Sequence, residues 1–158
     1  MIVDRTYETD IMCNLEDGLP FSDPQFESVL MLNVLEHVFK FKKLCNEIKR
    51  VIAQGGSAYT WVPFLINVHQ DQTDYFRYTD QASKMILQEA KFSQVEVRAY
   101  VGLSLVIGTY VGQLFHRSKL VASIIHLMSF GLSKTIYLAS PNKNARTWPL
   151  GYLVIAPG

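Results

Sequence analysis

Between Ser28 and Val62 the chain sets down an apolar run, an amphipathic stretch and a second apolar run, and this succession restricts the fold more than any other feature. Ser28-Val29-Leu30-Met31-Leu32-Asn33 is apolar without alternation, as expected of a strand covered on both faces of a parallel sheet. From Lys40 to Ala53, Phe41, Leu44, Ile48, Val51 and Ile52 recur at helical spacing, with Lys42, Lys43, Glu47, Lys49 and Arg50 on the other faces. Gly55-Gly56 is expected to close this helix, because only glycine enters the left-handed C-cap conformation without a Cβ penalty. Ser57 to Val62 reads as the next strand, stopped by Pro63. A strand, a helix and a strand at this spacing make a β-α-β unit, so the fold class is α/β with a mostly parallel sheet.

The flanks extend the pattern. Short strands are expected at Met1 to Asp4 and Ile11 to Asn14, and the Gly, Pro and Asp of residues 17–24 make a connection. Thr79 can cap a helix running through about Ala90, on which Ala82, Met85, Ile86 and Ala90 share a face. Gln94 to Tyr100 alternates like a strand with one wetter face, and Leu150 to Ala156 reads as the last strand. At 158 residues the chain is expected to form one domain over 1–158. Apolar types at 49% against 18% charged exclude a disordered chain, and a net charge of +1 gives no basic footprint for nucleic acid.

Residues 99–116 and 120–133 contain no Lys, Arg, Asp or Glu. A spanning helix needs about 20 predominantly apolar residues, and the first run is interrupted by Gly102, Ser104, Gly108, Thr109, Gly112, Gln113 and His116. Residues 99–133 are therefore read as an apolar helical insertion, a buried pair over one end of the sheet, with Gly108 and Gly112 marking close helix packing. The other use of such a segment is a peripheral membrane contact or a contact between copies of the chain. Cys13 and Cys45, together with Asp4, Glu8 and Asp10 where a leader would be basic and apolar, fit a reducing, cytoplasmic compartment.

Several motifs occur in a fixed order: Leu19-Pro20-Phe21, then Asn33-Val34-Leu35-Glu36-His37-Val38, then Glu47-Ile48-Lys49-Arg50-Val51-Ile52 with Gly55-Gly56, then Val62-Pro63-Phe64 and Asp74-Tyr75-Phe76-Arg77-Tyr78-Thr79. Over about residues 4–98 this order resembles the class I S-adenosylmethionine-dependent methyltransferases of the type 11 branch, and Gly151 to Ala156 is similar to their closing strand. The resemblance implies a Rossmann-like sheet that binds S-adenosylmethionine at the carboxyl ends of its strands. It places four residues at the cofactor. Asp4 corresponds to an acid on the ribose hydroxyls, unless it is a solvated turn acid. Asn14 stands where the family has an Asp facing the adenine amino group and offers one uncharged carbonyl acceptor. Leu15 would pack on the adenine ring or in the core, and Asn33 ends the strand beside the methionine portion.

Methyl transfer from a sulfonium needs alignment more than covalent help, and a base only for a hydroxyl or ammonium acceptor. His69 and Asp74, in the loop after the Ser57 to Val62 strand, are the candidate catalytic groups, His69 because imidazole exchanges protons near neutrality. His37, Tyr75, Arg77 and Tyr78 are candidates for binding a small-molecule or carbohydrate-like acceptor, with an Arg77–Asp74 pair that stiffens the loop as the structural reading. Some relatives bind a divalent cation through E-x-x-E-H and a later histidine. Asn33 replaces the first Glu here and removes an anionic ligand, so no metal is assigned.

The family's Gly-rich loop and first strand have no counterpart in the chain, which is therefore expected to be N-terminally truncated relative to the family, with an incomplete sheet. Either the strand of Asp4 moves inward against Ser28 to Asn33, or the chain is a fragment. The alternative to an enzyme is a non-catalytic remnant that serves as an interaction or membrane-surface module.

Overall fold

The computed structural model describes residues 3–4, 10–22, 24–68, 73–100, 103–115, 117–139 and 147–158. β1 (Val3–Asp4) and β2 (Ile11–Met12) form a two-stranded parallel ladder. β3 (Phe26–Leu32) and β4 (Ile52–Pro63) run parallel, with Leu30 opposite Tyr59 and Leu32 opposite Trp61. A 3-10 turn at Leu35–His37 and α1 (Phe41–Val51) connect them, which is the β-α-β unit read from the sequence. α2 (Asp80–Glu89) follows, then β5 (Glu96–Tyr100), α3 (Leu103–Leu114), α4 (Lys119–Ala139) and β6 (Gly151–Pro157). The larger sheet has the order β3-β4-β6-β5. The inward alternative for the first strand is not taken: β1 pairs with β2, and Leu30 and Leu32 of β3 remain 69% and 59% exposed.

The expectation of a mostly parallel sheet needs correcting in detail. β6 lies antiparallel to both β4 and β5. Its direction follows from the chain's path: β5 ends at Tyr100 opposite Gly151, where β6 begins, and the Leu150 amide donates to the Tyr100 carbonyl at 3.1 Å. Everything from α3 to α4 is thus an excursion between two antiparallel neighbours, and a strand that returns at the end where its predecessor left must run back.

α1 also ends earlier than expected. Ile52 is already extended (φ −74°, ψ 129°), and Gly55 and Gly56 lie inside β4. There Gly55 has φ +82° and the register against β3 slips between Phe26 and Ser28. The glycine pair serves this bulge and not a helix cap. At the start of α2 the capping expectation holds: Thr79 Oγ1 accepts from the Ala82 amide at 3.1 Å.

α1 and α2 pack on the sheet and on each other. Leu44, Cys45 and Ile48 from α1, Leu87 from α2 and Val62, Val154 and Ala156 from the sheet are buried in one cluster. Burial pushes the Cys45 thiol up to about 12, so it packs as a small apolar side chain. α3 and α4 form an antiparallel hairpin: a Cβ at Gly108 would fall 2.0 Å from Ser129 Oγ, and one at Gly112 2.7 Å from His126 Nε2. The close helix packing read from the glycines is present, but the pair is not buried. The glycine seam is consumed by α3–α4 contact, and the opposite side of α4 stays open, with Leu120 and Leu127 each 73% exposed.

Glu47 fastens the loop before β3 to α1. It accepts from the Leu19 amide at 2.9 Å and from Arg50 Nε and Nη2 at 2.9 and 2.7 Å, while Arg50 also donates to the Phe21 and Leu19 carbonyls. The Arg50 hydrogen bonds, then the Leu19 amide, lower the Glu47 carboxyl from 4.5 to about 2. A carboxyl whose pKa is lower in the folded chain contributes stability that is complete above its unfolded value and is lost as pH falls through the folded one. Glu47→Gln should therefore cost about 1–2 kcal/mol at neutral pH, and the difference from the parent should vanish between about pH 4.5 and 2 in urea melts recorded against pH.

Candidate functional site

The carboxyl end of β3 gathers the residues in question. Asn33, just beyond the strand, has φ +53°, a left-handed conformation that Asn tolerates better than most side chains, and its amide donates to the Trp61 carbonyl at 3.2 Å. A turn spans residues 14–17. Asn14 Oδ1 accepts from the Glu16 amide at 3.2 Å, Asn14 Nδ2 donates to Asp17 Oδ2 at 2.9 Å, and the Asp17 amide donates to the Asn14 carbonyl at 3.0 Å. The turn is tied to the segment after β3, because Glu16 Oε1 accepts from the Phe39 amide at 2.8 Å and Lys43 Nζ donates to the carbonyls of Glu16 and Asp17. Leu15 is half-buried and, with Val34, walls one end of an apolar groove of about 310 Å³ that follows β3 and is floored by Leu44 and Ile48 of α1.

The 3-10 turn organises a second group. Glu36 is completely buried, its side chain 3.7 Å from His37 Nε2, and its carbonyl accepts from the Tyr75 amide at 2.8 Å. His37 Nδ1 lies 2.6 Å from the Thr73 carbonyl. A carbonyl can only accept, so Nδ1 carries the proton. Tyr78 donates to the Leu35 carbonyl at 3.2 Å, and burial first, then the neighbouring Cys45 and Glu36, push its phenol up. Phe39 meets Tyr75 edge-on and stacks on Phe76, and Phe41 meets Phe76 and Tyr78.

Arg77 joins this group to the loop after β4. Its guanidinium engages both oxygens of Asp74, with Nη2 to Oδ2 at 2.7 Å, and donates to the carbonyls of Ile66 and Asn67 at 3.2 and 3.1 Å. Asp74 is first among the causes that raise the Arg77 pKa. The Asp74 side chain is only 3% exposed, so its geometry is that of the structural reading, a pair that stiffens the loop. Gln113 of α3 adds a bond from Nε2 to Asn67 Oδ1 at 3.1 Å, which brings the helical hairpin against the same loop.

The structure thus brings His37, Asp74, Tyr75, Arg77 and Tyr78 around the turn after β3, while Leu15 walls the groove, Asn14 bonds within its own turn and Asn33 follows the strand. His69 lies outside the described residues, and so does the side chain of Asp4, whose backbone pairs opposite Met12. Among the described residues no group of three or more His, Cys, Asp and Glu is placed to hold a metal ion. Thr73 was not foreseen as the partner of His37, whereas Glu36 belongs to the Leu35-Glu36-His37 run already singled out in the sequence.

Residues 4–60 match the family model of a methyltransferase domain. A S-adenosylmethionine-dependent methyltransferase from Archaeoglobus fulgidus superposes with a TM-score of 0.60 at 15% identity, over 99% of this chain and 74% of that one. The chain has the fold of a S-adenosylmethionine-dependent methyltransferase. Phosphoethanolamine N-methyltransferase 2 of Haemonchus contortus, solved with phosphomonomethylethanolamine and S-adenosylhomocysteine, gives 0.52 at 15% identity over 92% of this chain. This chain spans only 36% of that protein's length. The methyltransferase fold is shared at 0.51 and 14% identity by SpnF, a 4+2 cyclase, over 92% of this chain and 54% of that one, so the fold alone does not decide the reaction. A search of curated proteins gave no significant match in sequence.

In the larger sheet of this methyltransferase fold, β3 is an edge strand, while β1 and β2 stand apart in a ladder of their own. The apolar groove follows β3, and Leu15 and Val34 are among its walls.

Proposed function

We propose that this chain is, or is part of, a S-adenosylmethionine-dependent methyltransferase that acts on a small polar acceptor. One observation carries the reading: in a methyltransferase fold, Leu15 and Val34 wall an apolar groove along β3, and Glu16 ties the turn of residues 14–17 to the segment that follows the strand, the end at which open α/β sheets take their ligands. The residues suit the cofactor's adenine end, since Leu15 and Val34 offer an apolar wall and the polar turn of residues 14–17 lies beside it. Asn14 Oδ1 already accepts from the Glu16 amide and has one lone pair left for an adenine amino group. When bound, S-adenosylmethionine supplies an activated methyl group on sulfur. The chain's own part is to hold the acceptor in line with it and to keep water out. Tyr75, 45% exposed, is placed for that, while His37, with Nδ1 held by the Thr73 carbonyl and Nε2 buried near Glu36, orders the turn. His69 is assigned the removal of a proton from the acceptor, and Arg77 and Asp74 hold the loop that presents it.

Calorimetric titration with S-adenosylmethionine and S-adenosylhomocysteine tests the reading. Saturable heat below millimolar ligand is expected, and it should weaken at least about tenfold in Leu15→Asp, which puts a charge against the adenine wall. A folded chain, judged by a cooperative melt, that takes up neither ligand at millimolar concentration would sink the proposal.

A further inference from the structure

The helical hairpin carries none of the residues assigned above to cofactor or acceptor. α4 turns Ala122, Ile125 and Ser129 toward α3. On its opposite side Leu120, Ile124, Leu127 and Met128 follow one another at helical spacing and are 73%, 48%, 73% and 70% exposed. The turn between the helices adds Leu114 and Phe115, 78% and 46% exposed. Continuous apolar exposure of this kind marks a surface that is covered when the protein works.

Charge identifies the cover. From Val97 to the last residue the chain has six Lys and Arg and no Asp or Glu, although its overall charge is only +1. Arg117 and Lys119 are exposed beside the apolar tip, and Lys134 is exposed further along α4. Arg117 and Lys119 stand at the start of α4, whose first turn contains no acid. Cations are unfavourable at the positive end of a helix dipole, and that arrangement becomes favourable when an anion lies alongside.

We propose that the hairpin tip and the outer face of α4 dock on an anionic lipid surface, with the apolar side chains sunk among the acyl chains and Arg117, Lys119 and Lys134 reaching phosphate-bearing headgroups. Apolar burial would suit any bilayer, and the long cationic side chains add preference for a negative one. The contact is interfacial, since no described helix is long and apolar enough to cross a membrane. A second copy of the chain is a poorer cover, because joining two such faces sets Arg117, Lys119 and Lys134 against their equivalents with no acid in the segment to separate them. The bond from Gln113 to Asn67 places this surface next to the loop that Arg77 organises. The inference does not depend on the methyl-transfer reading.

Co-sedimentation of the 158-residue chain with vesicles of phosphatidylcholine, alone or mixed with phosphatidylglycerol, tests it. Binding should be about a hundredfold tighter on the mixed vesicles and weaken as salt is added. The exposed double substitution Arg117→Gln with Lys119→Gln should lose about tenfold or more of that preference with an unchanged melting temperature. Leu120→Ser with Leu127→Ser should weaken binding to both kinds of vesicle. Failure to sediment with either, equal affinity for both, or indifference to the charge substitutions would overturn the proposal. A concentration-dependent dimer that vesicles do not dissociate would also overturn it and assign the face to a second copy.

Discussion

Arg77→Met should lower the stability of the chain by about 3–5 kcal/mol, because it strands a carboxylate that the fold has already taken out of water. Asp74 is 3% exposed and both its oxygens face the guanidinium, so removal of Arg77 leaves a buried charge without its two-pronged partner. The same substitution deletes the donors to the Ile66 and Asn67 carbonyls, which join the segment after β4 to the segment before α2. In a thermal melt this should appear as a drop of about 10 °C or more. Arg77→Lys should fall between, since an ammonium keeps the charge but cannot make the two-pronged contact. Adding Asp74→Asn to Arg77→Met should recover part of the loss, because the stranded charge is then gone. The series separates two roles for Arg77. If it served only to bind an acceptor, the melting temperature would hold and ligand affinity would fall.

The β-α-β unit was legible because its signals are local and agree with one another. An apolar run, an amphipathic helix and a second apolar run leave few arrangements, and β3, α1 and β4 appear in that order. The cap of α2 was legible for the same reason, one side chain satisfying one amide three residues on. What escaped depends on contacts distant in sequence. Gly55-Gly56 looks identical as a helix stop and as a strand bulge, and only the partner strand, at Phe26 and Ser28, distinguishes them. The direction of β6 was hidden because it depends on where α4 brings the chain back to Tyr100. The exposed side of α4 was hidden because an apolar helix reads as core unless one knows how much of it the partner helix can cover. In the candidate site, the motif order led to Asn14, Asn33, His37 and Arg77. It gave no warning that Asn14 holds its own turn together or that buried Glu36 sits under the loop.

Three glycine-to-alanine substitutions should give three different outcomes, and together they test the strand arrangement around the helical excursion. Gly151 begins β6 between Pro63 of β4 and Tyr100 of β5. A Cβ there would sit 2.5 Å from the Val62 carbonyl oxygen and 2.7 Å from the Trp61 ring. The ring could tilt, but the carbonyl belongs to a strand paired on both sides, and relief requires β6 to move out of two ladders at once. Gly151→Ala should therefore cost about 3 kcal/mol, the upper end of what an extra methyl imposes on a packed site. Gly55 has open space around its Cβ position but φ of +82°, so alanine meets no neighbour and pays only for the left-handed backbone, about 1 kcal/mol. Gly131 lies within α4 with nothing near its Cβ position, and alanine there should stabilise the helix by up to about 1 kcal/mol. Urea melts of the three variants would rank them in that order. A Gly151→Ala chain as stable as the parent would mean that β6 does not run between β4 and β5, and with it would go the placement of the helical hairpin beside the Arg77 loop.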